Sequence, residues 1–529
     1  MTVSSNPDHS SKSAGFHEVK DTMTRTQRGQ ELLNRRTSGI LLHPTSLPGP
    51  HGIGDFGPWA RQFIEFLTRS GCSLWQLLPL GPTGLGGSPY QCTSSFAGNP
   101  LLINIEELTD MGLVDPDESS RHAVSESSGV DFAYASETKH RLLAQAYRRF
   151  REEQNPVQIQ AFKSFVEMHG WWLDDYVLYE AVKIEQNGLP WYTWPPELLH
   201  REQSSLNDIS SRLHDRLEYL RFIQFLFFTQ WNSLKETANR NGIYIVGDIP
   251  IFPSHDSADV WAHTDIFKLD EHGQPYVMAG VPPDYFSEDG QLWGNPLYRW
   301  DILSDTGYEW WIQRFKHTLE MVDIIRIDHF RGFAAAWEVP SGESTARNGK
   351  WVEGPGITLF KEVRARLGAL PLIAEDLGHI TPDVDDLRKS LQLPGMKILQ
   401  FAFDSDADNP YLPHNHTPDS VVYTGTHDND TTRGFFESAE SFIRDKARAY
   451  MGRSQLDLPW DIIRLAFASV ANTAIIPLQD VFCLGTEARM NFPGKPEGNW
   501  LWRFTPRGFD GEKAAALHGF AELYGRILK

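Results

Sequence analysis

Short apolar runs recur along the chain, eight of them: SGILL (38–42), SLWQLLP (73–79), GIYIVGDI (242–249), IIRIDHF (324–330), PLIAEDL (371–377), KILQFAF (397–403), SVVYTGTHD (420–428) and TAIIPLQD (473–480). Most are nearly continuous in apolar side chains rather than alternating. That is the pattern of parallel strands covered on both faces. Between several of them the apolar positions fall at helical spacing, as in PWARQFIEFLTRSG (58–71), EWWIQRFKHTLEM (309–321) and ITLFKEVRARLG (357–368). Strand and helix alternating eight times predict an α/β fold, a (β/α)8 TIM barrel.

Two gaps exceed what a βα unit needs, so the barrel is expected to carry large inserted subdomains. About 160 residues separate the second and third runs, with helical patterns at 137–154, 171–188 and 206–242. A mainly helical insertion is expected at about 101–220. About 75 residues separate the third and fourth runs. They predict a loop-rich insertion at about 250–308, in which GVPPDYFSEDGQLWGNP (280–296) reads as a structured loop beside a site. Residues 1–37 are polar and poor in aliphatics, which predicts a disordered tail ahead of a catalytic body at 38–529.

Charge narrows the function. The chain has 529 residues, 69 acidic and 49 basic side chains and a formal net charge of −20. Such a chain repels nucleic-acid phosphates and anionic lipid, so neither is an expected partner. Cys72, Cys92 and Cys483 form no metal or redox spacing and are expected to be reduced thiols in the cytoplasm. No apolar stretch reaches the ~20 residues of a membrane span, and the start lacks a signal-peptide apolar region. A plastid transit peptide is disfavoured by Asp8, Glu18 and Asp21.

The stretch VDIIRIDHFRG (323–333) places charges inside a strand that reads as buried. Burying a charge is costly unless it is paired. Strand side chains alternate, so Ile324, Arg326 and Asp328 share one face, and Ile325, Ile327 and His329 the other. With the first set facing the barrel axis, Arg326 lies beside Asp328, and a neighbouring guanidinium favours the ionised carboxylate. Acids also end other runs: Asp248 the third, Glu375 and Asp376 the fifth, and Asp428, after His427, the seventh. Barrel active sites lie at those ends. Carboxylates from several strands suit retaining glycosidic chemistry, one attacking, one exchanging a proton and one stabilising positive charge. Tyr90 and Trp293 sit in Gly/Pro-rich segments after strands, where aromatic faces are available to pack on sugars.

Other motifs fail on inspection. FDSDADNPY begins like a calcium loop but has Asn409 where Gly and Asn415 where Glu would be needed. GPTGLGGSPY lacks the lysine of a phosphate loop. No cofactor and no metal is expected.

The ordered set SGILLHPTSLPGPHGIGDFG, LWQLLPLGPTGLGGSPYQ, GDIPIFPSHDSADVW, GVPPDYFSEDGQLWGNPLY, IIRIDHFRG, PLIAEDLG, YTGTHDNDT and RMNFPGKPEGNW resembles the 4-α-glucanotransferase family, also called amylomaltase or disproportionating enzyme, of the α-amylase clan. The likeness spans nearly everything after residue 37. Many amylases carry Asn-His after the third-strand Asp, whereas Asp248 is followed by Ile249, Pro250 and Ile251, the amylomaltase version. The resemblance implies Asp328 as nucleophile, Glu375 as general acid/base and Asp428 as transition-state stabiliser. It further implies Arg326 holding Asp328 ionised, His427 on the same sugar, and Asp248, Tyr90, Ser88, Trp293 and Asn491 lining subsites. The implied partners are α-1,4-glucans and maltooligosaccharides, with glucose as acceptor. A hydrolase using the same carboxylates and a non-catalytic glucan-binding protein stand as alternatives, and monomer and dimer both stay open.

Overall fold

The computed structural model describes residues 24–124, 129–283, 287–378, 380–495, 497–505 and 508–528. Twelve strands are assigned among them: β1 (Thr37–Leu41), β2 (Leu74–Gln76), β3 (Tyr244–Pro250), β4 (Val277–Val281), β5 (Gln291–Pro296), β6 (Ile324–Asp328), β7 (Ala335–Pro340), β8 (Lys350–Glu353), β9 (Leu372–Ala374), β10 (Gly395–Ile398), β11 (Ser420–Tyr423) and β12 (Thr473–Pro477). Eight of them form one parallel sheet in the order β10-β11-β12-β1-β2-β3-β6-β9. Each overlaps one of the eight apolar runs of the sequence, but β10 shares only Lys397 and Ile398 with KILQFAF, whose Leu399–Phe401 forms a 3-10 turn instead. The sheet curls until its edges meet: Ala374 N–H, at the end of β9, donates to Pro394 O, just ahead of β10, at 3.0 Å. Barrel closure removes the exposed edges of the sheet.

Alternation along the strands sorts the core into two layers. Leu41, Leu74, Val246, Ile324, Ile373, Met396, Val421 and Ile475 pack together inside the barrel. Ile40, Trp75, Ile245, Ile325, Ile327, Leu372, Val422 and Ile476 pack outward with the helices. Polar groups inside are paired: the Tyr423 hydroxyl donates to Gln76 Oε1 at 2.8 Å. Inward-facing Gly39 has no room for a side chain, since a Cβ there would lie 2.5 Å from Leu74 Cβ.

Three long helices, Phe132–Glu153, Pro156–Glu185 and His214–Arg240, stand between β2 and β3. The last runs straight into β3. The first is fastened to the barrel by a buried ion pair. Lys139 Nζ donates to Asp55 Oδ2, Leu101 O and Ile103 O, each at 2.8 Å. Both side chains are almost fully buried.

Two expectations need correction. The segment 280–296 is not all loop. β4 and β5 pair with β7 and β8 in a four-stranded antiparallel sheet, order β5-β4-β7-β8, and Trp293 lies in β5. This sheet depends on pairing Val277 with Pro340 and Gly280 with Trp337, some sixty positions apart in the chain, which no local pattern reveals. The tail expectation fails for residues 24–37; residues 1–23 lie outside the described residues. Thr24 caps a helix, Arg25–Leu33, through a capping box with Gln27. Leu32 and Leu33 join the inner barrel cluster, so two aliphatics suffice because they plug the barrel floor. Among the described residues no helix is long and apolar enough to cross a membrane.

Removing one partner of the Asp55–Lys139 pair leaves an uncompensated buried charge. Lys139→Met should therefore lower the free energy of unfolding in urea by about 3–5 kcal/mol, with the helical contents of folded mutant and wild type alike.

Candidate active site

Parallel strands put all eight C-terminal ends on one rim, and the sequence places its acids there. Register does the next step. β3 and β6 pair Asp248 with Arg326 and Pro250 with Asp328, so three charged side chains meet inside the barrel mouth. Arg326 Nη1 donates to Asp248 at 2.7 and 2.8 Å and to Asp328 Oδ1 at 2.9 Å. The Tyr90 hydroxyl donates to Asp248 Oδ2 at 2.7 Å. The Arg326 side chain is 3% exposed and that of Asp248 0%, while Asp328 keeps 29%. Burial works against the guanidinium charge, but the two aspartates outweigh it and hold its pKa well above the ordinary value. Burial pushes the Asp248 carboxyl upward, and Arg326 pulls it back.

Glu375 follows β9. Its backbone N–H extends the ladder to Ile327 O at 3.1 Å. Its carboxyl accepts the N–H of His329 on Oε2 at 2.8 Å and the N–H of Leu377 on Oε1 at 3.1 Å. Burial raises its pKa to about 8; Arg326 opposes the rise and Asp328 adds to it. At neutral pH this carboxyl holds its proton. Beside it stands Asp328, paired with arginine, so two neighbouring carboxyl groups sit in different environments.

His329 is the residue that strand parity misplaces. Its φ of 53° is left-handed, uncommon for a residue with a side chain. The turn breaks the alternation at Asp328, aims the His329 N–H at Glu375, and brings its imidazole to the cleft wall. There the ring meets Trp293 edge to face at 4.7 Å. Burial lowers its pKa to about 4, so the imidazole is neutral.

Asp428 comes from the loop after β11. Its Oδ1 accepts Asn491 Nδ2 at 2.6 Å and lies 3.4 Å from His427 Nε2. The Tyr90 ring stacks on His427 at 5.2 Å and 13°. Trp500 packs 5.9 Å from both rings. Arg489 donates to the backbone oxygens of Asp428 and Asn491, each at 2.8 Å, fixing the two residues whose side chains meet.

One open cleft of about 1380 Å³ is lined by Ser88, Tyr90, Trp293, Asp328, His427, Asp428 and Asn491. These segments span some four hundred positions of sequence and meet only in the fold. Asp248, Arg326 and Glu375 are not among the residues that line this cleft; Asp248 lines an adjoining pocket with Tyr90, and its two oxygens accept from Arg326 and Tyr90. Trp500 and Arg489 belong to the site but were not singled out in the sequence. Trp500 follows Gly498 and Asn499 in a segment of turn residues, and its left-handed φ of 65° is what turns the indole inward. Among the described residues no group of three or more His, Cys, Asp or Glu side chains is arranged to hold a metal ion.

A closed parallel barrel with acids, amides and aromatic rings gathered at its C-terminal mouth defines a carbohydrate-active (β/α)8 enzyme. The family profile described as 4-alpha-glucanotransferase matches residues 42–508. A 4-alpha-glucanotransferase from Thermus thermophilus is 48% identical over 500 residues, covering 93% of this chain and 99% of that protein. A chloroplastic/amyloplastic 4-alpha-glucanotransferase from Arabidopsis thaliana is 43% identical over 500 residues, covering 93% of this chain and 86% of that one. Among solved structures, the amylomaltase from Streptococcus agalactiae in complex with acarbose superposes with a TM-score of 0.90 at 37% identity, covering 93% of this chain and all of that one. The chain belongs to the 4-alpha-glucanotransferase family, and its enzyme class is that of the glycosyltransferases named for this reaction.

The burial of Glu375 has a spectroscopic consequence. The carbonyl stretch of a protonated carboxyl should persist at pH 7 and vanish as pH rises through about 8. Glu375→Gln should remove that band in difference infrared spectra.

Proposed function

We propose that the chain moves a segment of an α-1,4-glucan to the 4-hydroxyl of an acceptor glucose or glucan by double displacement. The observation that carries this reading is the pair of opposed carboxyl environments: Asp328 bonded to a buried arginine and Glu375 buried and bonded to backbone N–H groups, where burial raises its pKa. The Asp328 carboxylate attacks the anomeric carbon. The glycosidic C1–O4 bond breaks, its electron pair goes to O4, and O4 takes the proton of Glu375. The freed chain end departs. The 4-hydroxyl of an acceptor then gives its proton to the Glu375 carboxylate and attacks C1, and Asp328 leaves. Two inversions return the α configuration.

Asp428, held by Asn491 and next to His427, is suited to sugar hydroxyls and to developing positive charge at C1. Tyr90 offers a ring face, and Ser88 lies on the same wall. Asp248 and Arg326 act through Asp328, setting its position. Transfer requires that sugar outcompete water at the covalent intermediate, and Trp293 braced on His329 is placed to cover it and hold the acceptor. Three free cysteines, Cys72, Cys92 and Cys483, accord with the cytoplasmic setting we propose. In domain terms we read a single catalytic barrel body with the helices of about 101–220 as an insertion.

Incubation with maltotriose tests this. Glucose together with a ladder of longer oligomers is expected; glucose and maltose alone would replace transfer by hydrolysis, and no reaction would overturn both. Asp328→Asn should lower kcat by at least about 10³-fold and prevent trapping of a glycosylated peptide containing residue 328. Trp293→Ala should raise hydrolysis relative to transfer, and an unchanged ratio would remove its assigned role. Because the first step consumes the Glu375 proton, kcat/KM should fall as pH rises above about 8.

A further inference from the structure

A second groove, sharing no lining residue with the cleft, lies among the helices Pro156–Glu185, His214–Arg240 and Glu309–Met321. It offers about 330 Å³ of water-accessible space, at the lower end of the roughly 300–1,000 Å³ of small-molecule sites. Trp171 and Met168 stand on its rim, 46% and 70% exposed. The indole is nonetheless held in place. It packs edge to face on Phe96 at 5.0 Å and on His317 at 6.2 Å. A braced tryptophan with half its surface in water presents a rigid flat face at little cost in conformational entropy.

The polar lining fits a neutral, hydroxyl-rich ligand. The amides of Asn232, Asn239 and Gln313 stand beside charges of both signs, Arg25, Lys235 and Lys316 with Glu236 and Glu320. Three basic groups against two acidic ones leave only a weak net field, so charge alone does not select an anionic ligand. At the buried end His317 Nε2 faces Phe96 O at 2.8 Å and therefore carries the ring proton. Its Nδ1 is an acceptor with no donor among the described residues, and an acceptor left buried and unpaired is costly.

We propose that this groove is a second, non-catalytic binding site for α-1,4-glucan chains, with Trp171 as the stacking platform. It rests on the glucan reading of the catalytic cleft. Holding a long chain at a remote groove raises the effective concentration of its end at the cleft without adding a contact there. Short oligomers are too small to use both sites, so the groove acts only on long substrates.

Native electrophoresis in gels containing soluble amylose tests the proposal. In the Asp428→Ala background, where the cleft is weakened, Trp171→Ala should raise the apparent dissociation constant for amylose at least fivefold, and Trp171→Phe should recover most of the loss. In the otherwise unaltered enzyme, Trp171→Ala should raise the ratio of KM for amylose to KM for maltotriose at least threefold. Equal retardation of Trp171→Ala and its parent overturns the proposal. So does equal retardation combined with a changed elution volume, which assigns the Trp171 face to self-association. Loss of maltotriose disproportionation by the wild type would instead strike the reading of the cleft, so the two failures are distinguishable.

Discussion

The architecture turns on a single buried guanidinium. Arg326 sits inside a barrel whose neighbouring layers are aliphatic, and it is stable there only because Asp248 and Asp328 take its hydrogen bonds. An unpaired arginine in that place would cost several kcal/mol. The pairing in turn requires β3 and β6 to be parallel, adjacent and in one register, with Asp248 opposite Arg326. Slipping either strand by one residue would turn its charged side chains out toward the helices. Specificity of register and position of the reacting carboxylate thus have the same cause.

That ion triad also sets its member Asp328 apart from the neighbouring carboxyl of Glu375. Asp328 touches the arginine and Glu375 does not: Glu375 is held by two backbone N–H groups, those of His329 and Leu377. Burial therefore wins at Glu375 and keeps it protonated to about pH 8. The geometry that delivers one of those N–H groups is the left-handed turn at His329. Strain of this kind persists where surrounding structure over-determines it, here by the ladder from Glu375 to Ile327 and by Trp293 against the imidazole.

Around this centre the chain builds walls from far apart. The stack of Tyr90, His427 and Trp500 joins the segments after β2, after β11 and after β12. The antiparallel sheet that carries Trp293 joins the inserts after β3 and β6. Each wall is anchored on different strand ends, so a rigid barrel sets the distances between them.

By itself the sequence determined the barrel, because continuous apolar runs and helical spacing are local properties of neighbouring residues. It also placed Asp248, Asp328, Glu375 and Asp428 at strand ends, and it put Arg326 and Asp328 on one face, because period-two alternation holds along any regular strand. Tertiary structure decided what alternation does not carry. His329 left its expected face because one left-handed dihedral resets the parity. Asp248 is buried against Tyr90, from the segment after β2, and Arg326, from β6, which both donate to its oxygens. Leu32 and Leu33 became part of the core because the barrel floor has a gap that two side chains fill. Trp293 became a strand residue because β4 found β7 across some sixty residues. In each case the deciding contact is long-range, and a linear pattern records only which side chains are available to make it.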